Sequence, residues 1–135
     1  MAGYSETPLA KKLGIKSGDK LFAVNAPKKY REWLGQIPEG VEFVPGPPKT
    51  GAELVHLFVT ALAELDKQLP RARTAMAKDG SLWVSWHKKS AKIPTDVTED
   101  EIRNRALKTD LVDVKVCAVT DVWSGLKLVV RKNLR

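Results

Sequence analysis

The chain has 135 residues, 43% of them apolar and 29% charged, which suits one folded domain over 1–135 and excludes the composition of a disordered protein. Its 23 Lys and Arg outnumber 16 Asp and Glu, and the resulting charge of +7 favours anionic partners. No run approaches the ~20 apolar residues of a membrane span, Met1 to Lys12 hold no apolar block of a secretory signal, and the single Cys117 excludes an internal disulfide or a cysteine-rich zinc site. The expected setting is the cytoplasm, with no membrane partner.

Thr7-Pro8 predicts a helix cap followed by proline at the first helical position, and Gly14 the end of a short helical segment within 1–14 carrying Leu9 and Leu13. Lys16 to Asp19 punctuate the chain before Leu21 to Val24, an apolar run of strand length expected to be buried on both faces. Tyr30, Trp33 and Leu34 share one face of a helix from about Lys28 to Gln36, closed by Pro38 and Gly40. A second strand, Val41 to Val44, runs into Pro45-Gly46-Pro47-Pro48, where withdrawn backbone donors forbid sheet and helix.

Leu54 to Val59 is the most continuous apolar run and predicts a central parallel strand, with His56 a satisfied core histidine. Leu62, Leu65, Leu69, Ala72 and Met76 recur at helical spacing, and Pro70 is expected to divide them between two helices. Asp79-Gly80 reads as a turn and Ser81 to Trp86 as a fourth strand reached by a parallel crossover. Thr98 and Glu101 form a capping box and Val97 and Ile102 a hydrophobic staple, so Glu99 to Glu101 complement a helix dipole, with Asp96 in the loop and cap before that helix. Val112 to Val119 and Leu126 to Arg131 predict an antiparallel hairpin around Thr120 to Gly125, the glycine closing its loop and Cys117 a buried structural thiol.

This order of elements resembles a small class I methyltransferase fold, a three-layer Rossmann-like α/β sheet. The expected sheet is mainly parallel, with about six strands in the order 2-1-3-4-6-5, ending in the antiparallel hairpin. The stretches most similar to that family are Leu13 to Leu21 and Lys78 to Val84. The resemblance implies an acidic residue and a glycine-rich turn after the first strand, yet Ala23-Val24-Asn25-Ala26-Pro27 has no carboxylate and no glycine. The second strand likewise ends in Val44-Pro45-Gly46 without the acid that would hold a ribose, so no cofactor is expected and S-adenosylmethionine least of all.

Tyr4-Ser5 with Thr7 to Lys12, Trp83 to Trp86 with Lys88-Lys89, Thr95 to Glu99, and Val114 to Ala118 with Trp123 to Lys127 resemble more closely an uncharacterised family of small bacterial proteins, known as a domain of unknown function. That resemblance implies the fold and a bacterial cytoplasm and assigns no catalytic residue. His87 stands where that family is expected to have proline.

Ligands of open α/β sheets bind beyond the carboxyl ends of the parallel strands. Those ends are Asn25 to Pro27, the loop from Pro45, Thr60, and Trp86-His87-Lys88-Lys89, and a terminal hairpin would bring Asp121, Trp123 and Ser124 to the same rim. Two tryptophans beside two lysines suit a planar anion. General base work by His87 would need Asp121 or Asp96 as its orienting partner. The expected function is a non-catalytic binding or regulatory module taking an anionic small molecule or a protein partner at this rim. The alternatives are an enzyme acting on a small anion, assisted by Lys88, Lys89, Ser124 or His87, and sequence-independent nucleic-acid binding driven by the +7 charge.

Overall fold

Runs of apolar residues without alternation mark strands covered on both faces, and one such run sits at the middle of the sheet. Six strands of the described residues, β1 (Lys20–Val24), β2 (Glu42–Phe43), β3 (Ala52–Phe58), β4 (Met76–His87), β5 (Leu111–Ala118) and β6 (Trp123–Val130), lie in the order β2-β1-β3-β4-β6-β5. The first four pair in parallel, β6 is antiparallel to β4, and β5 is antiparallel to β6, so β5 runs with the parallel strands. This is the expected topology. The computed structural model describes residues 7–135, and Tyr4, Ser5 and the first part of the 1–14 segment lie outside that range.

Helices α1 (Leu9–Leu13) and α2 (Tyr30–Leu34) cover one face of the sheet over Leu21, Leu54, Phe58 and Trp83. Helices α3 (Leu62–Ala75) and α4 (Glu99–Ala106) cover the other over Val55, Leu57, Val84, Leu126 and Leu128. The central run is buried throughout apart from Glu53. In β1 only Leu21 is fully buried, contrary to expectation, because its outer neighbour β2 has two residues and the helix above it five.

Local corrections follow from the same packing. Pro8, not Thr7, occupies the cap of α1, and its carbonyl accepts from the N–H groups of Lys11 and Lys12 at 3.1 Å. Helix α2 starts later than expected and stops at Gly35, whose φ of 72° is a conformation glycine adopts readily, so Pro38 and Gly40 come too late to end it. Pro70 does not divide α3. It is exposed, which leaves the carbonyl it orphans to water, while Leu65, Leu69, Ala72 and Ala75 hold both halves against the sheet. Met76, at the C-cap of that helix, is extended and opens β4.

Asp79-Gly80 lies within β4, where the pairing jumps from Ala52↔Met76 to Leu54↔Ser81. The residues between are bulged, and a Cβ on Gly80 would stand 2.7 Å from the Glu53 carbonyl oxygen. Gly125 likewise belongs to β6 and not to a turn. Its missing side chain admits the Trp83 ring, and the hairpin loop is built on the Thr120 hydroxyl, which accepts from the N–H groups of Val122 and Trp123 at 3.0 Å. The cap of α4 is as expected: Thr98 accepts from the Glu101 N–H at 3.2 Å, with Val97 and Ile102 buried beside it. The Glu101 carboxylate turns to Arg105 instead of closing the box.

Candidate ligand-binding rim

The carboxyl end of β4 and the start of β6 form one edge. Trp86 pairs with Ser124 and His87 with Trp123, and the Lys88 N–H donates to the Val122 carbonyl at 2.8 Å. Trp86 to Lys89 and Asp121 to Ser124 therefore share a rim, but alternation along the strands splits them between the two faces of the sheet. Trp86 joins the core under α3 and α4 with 8% exposure, whereas Trp123 packs on the α1–α2 side, its ring centroid 4.1 Å from that of His87. The two tryptophans do not converge, which corrects the single aromatic surface expected from the sequence.

Two hollows result. The larger, about 1020 Å³, lies on the α3–α4 side and is lined by Trp86, Lys88, Lys89, Lys92, Thr98 and Ser124, with His87 at its margin. Glu99 and Asp100 form its opposite wall, and both are engaged by Arg103, the latter at 2.8 Å. Arg103 also reaches Asp113 at 2.9 Å, and hydrogen bonds from Glu99 and Asp113 raise its pKa above the ordinary guanidinium value. Arg103 thus offsets part of the charge of this wall, while Lys88, Lys89 and Lys92 have no ion-pair partner among the described residues.

The smaller hollow, about 390 Å³, does gather two tryptophans and two lysines, a different set: Trp33 and Trp123 with Lys28 and Lys29, and Asp121 at its edge. Helical spacing assigned Trp33 to a core face, and its partner surface comes from residues some 90 positions away, which no local pattern could reveal.

Asn25 lies in neither hollow. The chain passes from β1 to β2 on one side and then from β2 to β3 on the other side of β1, and at this switch point a Rossmann-like sheet has its natural ligand crevice. Here protein groups bond to one another on the β3 side, while a hollow of about 450 Å³ lies beside Ala26, Pro27, Val44 and Pro45 at the ends of β1 and β2. Asn25, at φ 58°, donates from Nδ2 to Glu64 Oε2 at 3.3 Å, and Glu64 Oε1 accepts from the Thr60 N–H at 2.9 Å. Asp96 accepts from the Leu62 N–H at 2.8 Å and Thr95 donates to the Thr60 carbonyl at 2.7 Å. Amides at the start of α3, a place where an anion would bind, are therefore occupied by the chain's own carboxylates. Asp96 caps α3, not the α4 helix that it precedes.

The acid–base arrangement considered for His87 is not formed. Its Nδ1 is buried without a hydrogen-bond partner, burial lowers its pKa, and neither Asp96 nor Asp121 is bonded to it. His56 is the satisfied core histidine expected: fully buried, it is hydrogen-bonded to the Tyr30 hydroxyl at 2.8 Å and the Ser85 hydroxyl at 2.7 Å. Burial pushes the imidazole down to about 3 and the Tyr30 phenol up. Cys117 is half-buried, not fully so, and burial raises its pKa against the pull of Lys12, Lys115 and Lys88. Among the described residues no group of three or more His, Cys, Asp or Glu is placed to hold a metal, and no helix is long and apolar enough to cross a membrane.

No protein-family model matches the sequence, and no curated protein matches it. Among solved structures the fold is similar to a ribosomal protein L11 methylase from Lactobacillus delbrueckii subsp. bulgaricus, with TM-score 0.53 and 8% identity over 91% of this chain and 75% of that one. A protein in the NADB-Rossmann superfamily from Streptococcus agalactiae aligns with TM-score 0.49 and 12% identity over 96% of this chain and 71% of that one. At such identity the likeness is one of fold, and that fold is Rossmann-like α/β.

Proposed function

We propose that the protein is a non-catalytic binding module that takes an anionic ligand in the Lys88–Lys89–Lys92 hollow. The observation that carries this reading is the unbalanced charge there: three lysines without an ion-pair partner among the described residues share the hollow with two carboxylates that are both held by Arg103. Thr98 and Ser124 supply hydroxyls, and Ile93 and Pro94 an apolar margin. Trp86, largely buried, lines the hollow. The bonds among Asn25, Glu64 and Thr60 engage polar groups at the switch point, which supports a role away from the usual cofactor seat, and the unpartnered His87 supports binding without acid–base chemistry. The methyl-transfer chemistry named for the L11 methylase does not enter this reading. Membership of the small bacterial family, and with it a bacterial cytoplasm, rests on the sequence resemblance alone.

The test is titration of the full chain with ADP, pyrophosphate and S-adenosylmethionine, followed by amide shifts. ADP or pyrophosphate should perturb Lys88, Lys89, Lys92, Thr98 and Ser124, and Lys89→Ala with Lys92→Ala should weaken binding roughly tenfold. Methyl transfer to any acceptor, or shifts that bypass this hollow, would overturn the reading.

A further inference from the structure

Lys115 and Lys127 are direct cross-strand partners in the β5–β6 pairing, and among the described residues neither forms an ion pair. Like charges so placed repel. A third lysine stands beside them. Trp83, the neighbour of Lys127 on β4, donates its indole N–H to the Leu13 carbonyl at 3.0 Å, and the chain then turns to Lys16. Burial, with Lys115 and Lys16, lowers the pKa of the Lys127 ammonium. Lys12 extends the line, its Nζ donating to the Ala118 carbonyl at 3.2 Å.

Neighbouring carboxylates do not relieve this charge. Asp113 is bonded to Arg103 of α4 on the other face, and Asp19 accepts from the Lys16 backbone N–H at 2.8 Å. Next to the lysine pair, Val112 and Val129 form a directly opposed apolar pair that is only half-buried. The outer edge exposes Val114 and Val116, at 56% and 44%. An edge lysine and the bulge between Asp113 and Lys115 guard β5 against indiscriminate pairing, but Lys127 lies on an inner strand where that purpose does not apply.

We propose that this face of β5 and β6 docks an acidic, extended segment of a partner protein, whose carboxylates bridge Lys115 and Lys127 and whose aliphatic side chains lie on Val112 and Val129. Charge complementarity selects this occupant. A second copy would bring a further Lys115 to the cluster instead of neutralising it. Nucleic acid would find no aromatic platform beside the Lys115–Lys127 pair itself, where the neighbouring Trp83 is wholly buried.

The experiment titrates the full chain with a synthetic peptide of alternating Glu and Val, and separately with an oligo-dT of equal charge, following amide shifts. The peptide should saturably shift Val112, Lys115, Lys127 and Val129. Lys115→Glu, at an exposed edge-strand position, should weaken it at least roughly tenfold with the fold intact, and Lys127→Gln should weaken it in the same direction. Lys89→Glu with Lys92→Glu should leave peptide binding unchanged, which separates this surface from the rim. Absence of shifts on β5 and β6, shifts confined to Lys89 and Lys92, or tighter occupation by the oligonucleotide would each overturn the proposal.

Discussion

Trp83 donates its indole N–H to the carbonyl of Leu13, 3.0 Å away and 70 residues earlier in the chain. Both residues are fully buried, so this bond fastens the end of α1 to the middle of the sheet in the absence of solvent. Trp83→Phe removes the donor, strands the carbonyl and leaves a void. A loss of about 2 kcal/mol or more is expected, read from the urea midpoint.

The same indole requires Gly125. A Cβ there would meet Trp83 at 3.1 Å, Val119 at 3.2 Å and Ser85 at 3.3 Å, contacts from β4 and from the loop after β5 that cannot all retreat. Gly125→Ala should cost about 1–3 kcal/mol. Gly46→Ala, with nothing within 4 Å and no positive φ, should be close to neutral in the same assay.

His56 makes stability depend on pH. The unfolded imidazole takes a proton near 6.5, whereas the buried one, between Tyr30 and Ser85, resists protonation until about 3. Between those values the unfolded state holds more protons, so stability is complete above pH 6.5 and declines as the pH falls toward 3, by roughly 1 kcal/mol per unit from this residue. Urea midpoints measured from pH 7 to pH 4 should show the decline, and His56→Gln should flatten it.

Pro70 interrupts the hydrogen bonding of an otherwise continuous helix at an exposed position. Pro70→Ala restores one backbone bond and relieves the ring's clash, against some gain of freedom in the unfolded chain. The expected net effect is a stabilisation of about 1–2 kcal/mol, visible as a higher Tm.

Asp96→Ala should cost about 1 kcal/mol by uncapping α3, and should loosen amide exchange at Leu62 more than at Glu101. Thr98→Ala should do the reverse, acting on α4.

The strand order was readable because β3 is apolar without alternation, helical spacing follows it, and a glycine-bearing hairpin ends the chain, all signals local in sequence. The cap at Thr98 was readable for the same reason. Pro70 misled because its cost is set by what faces it, and solvent faces it. Gly80 and Gly125 misled because glycine marks both turns and close approaches, and only the neighbouring strands tell which. At the rim the residues of one edge were legible, but alternation about the β4–β6 register sends Trp86 and Trp123 to opposite sides, and that register is set by pairing across nearly 40 positions. The Trp33–Trp123 hollow and the Arg103 pairs depend on distant contacts that sequence spacing does not encode.

The Thr95–Thr60 and Asp96–Leu62 bonds knit the loop beyond Lys92 to the loop beyond β3. A visitor arriving at the lysines would thus meet scaffolding already braced against a neighbouring helix. Closing around it would mean unpicking that seam first, so recognition there would favour guests whose shape matches the standing walls over those that need the walls to come to them.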